Sequence, residues 1–289
     1  MNYITLKPMV SRIGTNILYY ISYIIFAYKN KLLIKYNKNE LFYSDSIFVN
    51  ILFNYIDNYN KELLNNNFIG KLDNKISIEL YDDDLMKCLS YTTINIKSDI
   101  ISYFHNFIYK HIKNELPINI LSNKYKIPFD INKTIIVHLR LDDVTYRVDY
   151  DATIPTNYYK NQIDNNELCI TSDLPRHLTT QTPIAIDRIQ NEINKALLKY
   201  SGYEVVIIAS PEPKDYIIPL PYRCIRSDDP EFDLFLLCSA KVLILSRSTF
   251  AIISCFLGTA EEIYCPLWAI NVSLGLYTKY DNSKYNYFY

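Results

Sequence analysis

The segment Thr134–Asp143, T-I-I-V-H-L-R-L-D-D, passes from apolar to charged within a few residues. Its first four residues, Thr134–Val137, read as a buried strand: they are rich in β-branching and too few for a helix. His138–Asp143 then falls at the carboxyl end of that strand. In open α/β sheets ligands bind at that end. Arg140 carries a permanent cation on a planar donor fork, which suits phosphate. The rest of the chain is read outward from this point.

After Asp151 comes a polar stretch, residues 153–182, with two prolines. It is too long for a passive connector, and long loops at ligand edges carry function. Thr182-Pro183 reads as a helix start, with Ile186, Ile189, Ile193 and Leu197 as the apolar stripe and Gly202 as the stop. Glu204–Ala209 and Arg223–Ile225 read as strands, Phe232–Ala240 as an apolar helix and Val242–Leu245 as a strand. Ser246–Thr249 is a turn into a second apolar helix, Thr249–Leu257, closed by Gly258. Ile263–Cys265 is the last strand expected, stopped by Pro266.

Toward the amino terminus, Tyr3–Pro8 begins as a strand. Val10–Asn16 reads as a turn in which Gly14 is free to take positive φ. Asn16–Tyr28 reads as a buried helix and Lys31–Tyr36 as a second strand. Strand, turn, helix, strand is a βαβ unit and implies a parallel sheet. Phe48–Leu63 and Ile100–Ile112 have helical character, Ile76–Leu80 alternates, and Pro117–Pro128, with its two prolines, reads as irregular. The domain boundary is placed near Phe129.

Composition narrows the function classes. The chain has 289 residues and is 49% hydrophobic, enough for a sizeable core. A formal net charge of -1 gives no basic footprint for nucleic acid. Abundant Tyr, Asn, Ile and Lys suggest an AT-rich genome, such as that of a giant virus. The six cysteines show no zinc spacing, and several sit in apolar runs as buried free thiols do, which fits a reducing compartment. The longest apolar segment, Ile17–Tyr28, is about a dozen residues, too short to span a bilayer. The expectation is a soluble, cytoplasmic protein with no membrane span. Oligomeric state is not legible.

Three constellations can carry chemistry. His138, Arg140, Asp142 and Asp143 form the first. Ser248 and Thr249, beside Arg247, start a helix whose first N–H groups lack internal partners and attract an anion. Asp233, in D-D-P-E-F-D, lies in the first turn of its helix, where a carboxylate is favourable in any case.

Taken together and in order, H-L-R-L-D-D, D-P-E-F-D-L-F-L-L-C-S-A-K-V-L-I-L-S-R-S-T-F and the closing Y-C-P-L-W resemble the α1,2/α1,6-fucosyltransferase group, with its H-x-R-R-x-D motif. R-I-G-T-N-I-L-Y-Y-I-S-Y-I-I-F-A is similar to that group's amino-terminal G-x-x-G-N-Q turn and helix. The resemblance implies an α/β GT-B fold of two facing Rossmann-like domains with parallel sheets, residues 1–128 on the acceptor side and 129–289 on the donor side. It implies an enzyme that moves a sugar, fucose, from a nucleoside-diphosphate donor, GDP-linked, to a glycan hydroxyl without a metal or other cofactor. Arg140 would hold the β-phosphate, and His138 would sit near the nucleoside. Asp233 would contact base or ribose, and Ser248 and Thr249 the pyrophosphate. Gly14, Thr15 and Asn16 would line the acceptor side. The general base is left open among Asp142, Asp143 and Asp149. The second arginine of the motif is Leu141 here, Thr15-Asn16 replaces Asn-Gln, and Ile252 and Ile253 stand where tryptophans are frequent. Two alternatives accompany this reading. One is a metal-dependent GT-A enzyme using Asp82-Asp83-Asp84 as its D-x-D. The other is a non-catalytic sugar- or nucleotide-binding protein.

Overall fold

The computed structural model describes residues 3–8, 12–65, 118–141, 184–211, 217–266 and 285–288. Asp82–Asp84, Ile76–Leu80, Ile100–Ile112, Asp142, Asp143, Asp149, the 153–182 stretch and Thr182-Pro183 lie outside the described residues.

The amino-terminal βαβ unit is present. β1 (Tyr3–Thr5) pairs in parallel with β2 (Leu33–Lys35), and α1 (Ile13–Asn30) connects them. Ile17, Leu18, Ile21 and Ile24 of α1 are at 0% exposure. Burying each such side chain contributes roughly 1.5–3 kcal/mol. Lys31, in the left-handed region at φ 53, ends the helix, its N–H returning to the carbonyls of Ala27 and Tyr28. α2 (Ile47–Asn65) packs on the same cluster.

Residues 12–16 are not a turn with a left-handed glycine, and Val10 and Ser11 lie outside the described residues. Ile13 is already helical, and Arg12 is the extended N-cap at φ -75, ψ 161. The Asn16 N–H donates to the Arg12 carbonyl at 3.0 Å and closes the first helical turn. Likewise, the stretch after Pro117 is not irregular throughout, since α3 spans Ile118–Lys124.

The larger sheet has six strands, all parallel. They are β3 (Thr134–Leu139), β4 (Glu204–Ala209), β5 (Arg223–Arg226), β6 (Val242–Ile244), β7 (Glu262–Pro266) and β8 (Tyr285–Phe288), in the order β5-β4-β3-β6-β7-β8. β8 extends the sheet past the expected last strand. The pleat of β3 divides its residues. Ile135, Val137 and Leu139 pack with Ile189, Ile193 and Ala196 of α4 (Ile186–Lys199), whereas Ile136 packs on the opposite face. α4 starts two residues past Ile184, with Ala185 as N-cap, so Thr182 is not its cap.

That opposite face is covered by α5 (Pro230–Ser239) and α6 (Thr249–Leu257). Leu236, Leu237, Ala251 and Cys255 meet the sheet. Leu234, Phe235, Ile252, Ile253 and Leu257 join the α1–α2 cluster. Both helices are therefore buried on two sides, which explains sequences apolar nearly all round.

Two buried carboxylates pin this frame. Glu231 accepts from the Ser46 hydroxyl (2.8 Å), the Ile47 amide and the Lys124 ammonium (2.6 Å), and so ties α5 to the amino end of α2 and to α3. Burial works to raise its pKa, but Lys124, Ser46 and Ile47 outweigh it and hold it below the ordinary range. Glu262 accepts from Lys199, the Tyr200 hydroxyl, the Tyr264 hydroxyl (2.9 Å) and the Asn286 side chain (3.0 Å), joining α4, β7 and β8.

Candidate functional site

The strand order contains a switch point. From β3 the chain adds β4 and β5 on one side and then crosses to β6 on the other. The carboxyl ends of β3 and β6 therefore diverge, and a crevice opens above them. A cleft of about 280 Å³ lies there. His138 and Arg140 come to it from the end of β3. Ser248, Thr249 and Phe250 come from the start of α6. Asp233 comes from the first turn of α5.

α6 follows β6 after only Leu245–Ser248, so its amino end is delivered to the crevice. Ser248 is its extended N-cap but makes no side-chain cap bond, unlike Asp229 at α5, whose carboxylate accepts from the Glu231 and Phe232 amides. The first N–H groups of α6 consequently have neither intrahelical partners nor a capping side chain at this edge. They form a positive terminus suited to an anion.

His138 is buried, and its Nδ1 lies 2.6 Å from Ser246 Oγ. Burial, helped by the Arg140 cation, lowers its pKa to about 3. It is a neutral imidazole near pH 7, able to hydrogen-bond but not to add positive charge. Arg140 is half-buried. Leu141 turns instead into the apolar cluster beneath, at 5% exposure, among Ile184 and Tyr264. The next position after Arg140 is thus a core position. Arg247, beside Ser248 in sequence, is 1% exposed and is not part of the cleft wall.

Asp233 is 8% exposed, and its Oδ1 has no hydrogen-bond partner among the described residues. Burial first, and the nearby Asp229 charge second, raise its pKa to about 7. A buried carboxyl facing a cleft without a partner is expensive to keep, and a ligand donor would satisfy it.

The amino-terminal stretch contributes from the other side, but not through every residue expected. Arg12 and Ile13 line the cleft. Gly14 lies behind them, against the backbone of α6: a Cβ there would stand 2.5 Å from Phe250 Cα and 2.7 Å from its N. Its lack of a side chain serves close approach rather than a left-handed turn. The Thr15 and Thr249 hydroxyls are 3.1 Å apart, and Asn16 is fully buried with its side-chain NH₂ on the Arg12 carbonyl. Gly14 and Thr15 thus meet α6, Asn16 turns back on the start of α1, and none of the three lines the cleft. Arg12 stood within the quoted R-I-G-T-N stretch. Tyr43, also on the wall, gave no signal in the sequence.

Among the described residues no group of three or more His, Cys, Asp or Glu is placed to hold a metal ion. Among them also, no helix is long and apolar enough to cross a membrane.

No protein-family model and no curated protein matches the sequence. Among solved structures, the chain is similar to a crystal structure of POFUT1 in complex with GDP at a TM-score of 0.30 and 15% identity, covering 56% of this chain and 47% of that one. A second crystal structure, a high-resolution dataset of POFUT1 in complex with GDP, gives 0.31 and 14%, with coverages of 58% and 51%. The chain spans about half the length of these structures.

Proposed function

We propose that this chain is a metal-independent glycosyltransferase that binds a GDP-linked sugar, fucose by the resemblance of its motifs, in the switch-point cleft and transfers it to a glycan hydroxyl. The observation that carries the reading is the meeting, in one cleft, of Arg140, the uncapped amino end of α6 and the unpartnered carboxyl of Asp233. A diphosphate fits the first two and a nucleoside's donors fit the third. The reading includes a two-domain frame, residues 1–128 and 129–289, with the donor held mainly by the second.

In transfer, the sugar–oxygen bond breaks and negative charge gathers on the leaving diphosphate. The Arg140 guanidinium and the α6 N–H groups stabilise that charge more in the transition state than in the ground state. His138, neutral, orients the nucleoside side without repelling Arg140. The acceptor hydroxyl loses its proton to a carboxylate, for which Asp142, Asp143 and Asp149 are the candidates.

The test is a thermal-shift screen of GDP, UDP, CDP and dTDP, each with and without Mn²⁺. GDP should raise the unfolding temperature, and Mn²⁺ should add nothing. Stabilisation by UDP that requires Mn²⁺ would instead favour the Asp82–Asp84 reading.

Asp233 adds a pH signature. Its ionised form accepts hydrogen bonds from ribose hydroxyls or base N–H groups, so GDP affinity should rise as pH passes upward through about 7. Stability runs the other way. The folded pKa is raised, so the stabilising contribution is complete below the unfolded value, near 3.8, and is lost as pH rises through about 7. Asp233→Asn should therefore flatten the pH dependence of GDP binding and raise the unfolding temperature at pH 8 but not at pH 4. Titration calorimetry and thermal unfolding at the two pH values check this; an unchanged slope for GDP binding in Asp233→Asn would remove Asp233 from the donor site.

A further inference from the structure

We infer that Tyr43 is a stacking platform for the nucleobase of the bound nucleotide, an inference that rests on the donor reading above. Tyr43 sits at φ 59, in the left-handed region, where a bulky side chain is strained. The other non-glycine residue with positive φ among the described residues is Lys31, which closes α1 in the ordinary way. Tyr43 closes no helix. It lies in the turn between β2 and α2 and lines the same cleft as Asp228, Pro230 and Asp233. Its large aromatic side chain stays 37% exposed there, so part of the ring is left open.

The turn is held from several directions. The Tyr20 hydroxyl donates to the Phe42 carbonyl at 3.1 Å, and Leu41 is buried. The Ser46 N–H donates to the Tyr43 carbonyl at 2.9 Å. Ser46 and Ile47 are in turn bound to Glu231, two residues before Asp233 on α5. The turn that carries Tyr43 is thereby fixed to α5, the helix that brings Asp233 to the same cleft. A nucleobase needs a flat apolar wall for its face and a polar group for its edge; Tyr43 and Asp233 offer the pair. Phe250, the other six-membered ring on the cleft, is engaged with His138 at 5.7 Å between ring centres.

The experiment is calorimetric titration of the full chain with GDP and, separately, with inorganic pyrophosphate, for the wild type, Tyr43→Phe and Tyr43→Gly. Glycine adopts the backbone conformation without strain, and circular dichroism confirms that Tyr43→Gly is folded before titration. It should bind GDP roughly 10-fold more weakly, at the scale of one base–aromatic stack, with pyrophosphate binding unchanged. Tyr43→Phe should keep the GDP affinity. A Tyr43→Gly protein that binds GDP normally, or that loses GDP and pyrophosphate alike, would overturn the platform while leaving the donor reading intact. A wild type that binds no GDP would overturn both.

Discussion

Arg140→Ala should lower kcat for donor turnover by roughly 10²-fold or more while the protein remains folded, the scale of losing one pre-placed donor to a developing oxyanion. The residue follows β3 at the switch point, and its cation acts within the same cleft as the α6 amino end. Arg140→Lys should recover only part of the activity, because an ammonium is a point charge and cannot make the two parallel contacts of the fork. Leu141 cannot substitute, being packed in the core below. Arg12 lines the cleft from the start of α1, so some cationic field survives and the loss is finite. His138 provides an internal control: removing the Arg140 cation removes one cause of its depressed pKa, which should then move up from about 3 without reaching its ordinary value, because burial is the larger cause. The measurement is kcat and KM for donor turnover, with circular dichroism to confirm folding. A folded Arg140→Ala protein with near-normal turnover would exclude this residue from the mechanism.

Gly14→Ala should be costly in a different manner. The added methyl group would meet the Phe250 and Thr249 backbone, not the tip of a mobile side chain, so α1 and α6 must separate. Overpacking of this kind costs typically about 1–3 kcal/mol. For a chain of this size that lowers the unfolding temperature by roughly 3–10 °C. The displaced atoms include the Phe250 amide, which belongs to the anion-attracting end of α6. GDP affinity should therefore fall together with stability, although Gly14 itself lies behind the wall. Thermal unfolding and GDP titration of the same variant measure both. An alanine variant with wild-type values for both would show that the two helices can part without consequence.

The parallel sheet was largely legible because β3, β4 and β6 are short, nearly continuous apolar runs, as strands buried on both faces must be. α6 was legible for a related reason: an apolar run of the right length, bounded by Ser248 and Gly258. β8 was not, because Y-N-Y-F alternates aromatic and polar residues at a sheet edge and has no apolar run to announce it. The start of α1 is not legible because a glycine there suggests a turn, and the neighbouring α6 supplies the reason a side chain is excluded. α3 was hidden by the proline in front of it. In the site, His138, Arg140, Asp233, Ser248 and Thr249 were marked by strand ends and helix starts, which are local features, and all five line one cleft. Tyr43 and the Glu231 bonds to Ser46 and Ile47 depend on residues far apart in sequence, 185 positions for the Glu231–Ser46 pair, and no local pattern encodes them.

α5 and α6, buried on two sides, also bear on how the chain comes to be folded. Each helix presents one apolar side to the six-stranded sheet and the other to α1 and α2. Assembly of the sheet alone leaves Phe235, Ile252, Ile253 and Leu257 bare to water, and that greasy surface persists until α1 is laid across it. α1 precedes α5 and α6 in the chain, so the side of α1 that meets α6 is covered only once those later helices are in place. β1, β2 and α2 supply the rest of the α1 cluster from nearby sequence. The cleft, walled by residues of α1, α5 and α6, is therefore complete only when α1 has met α6.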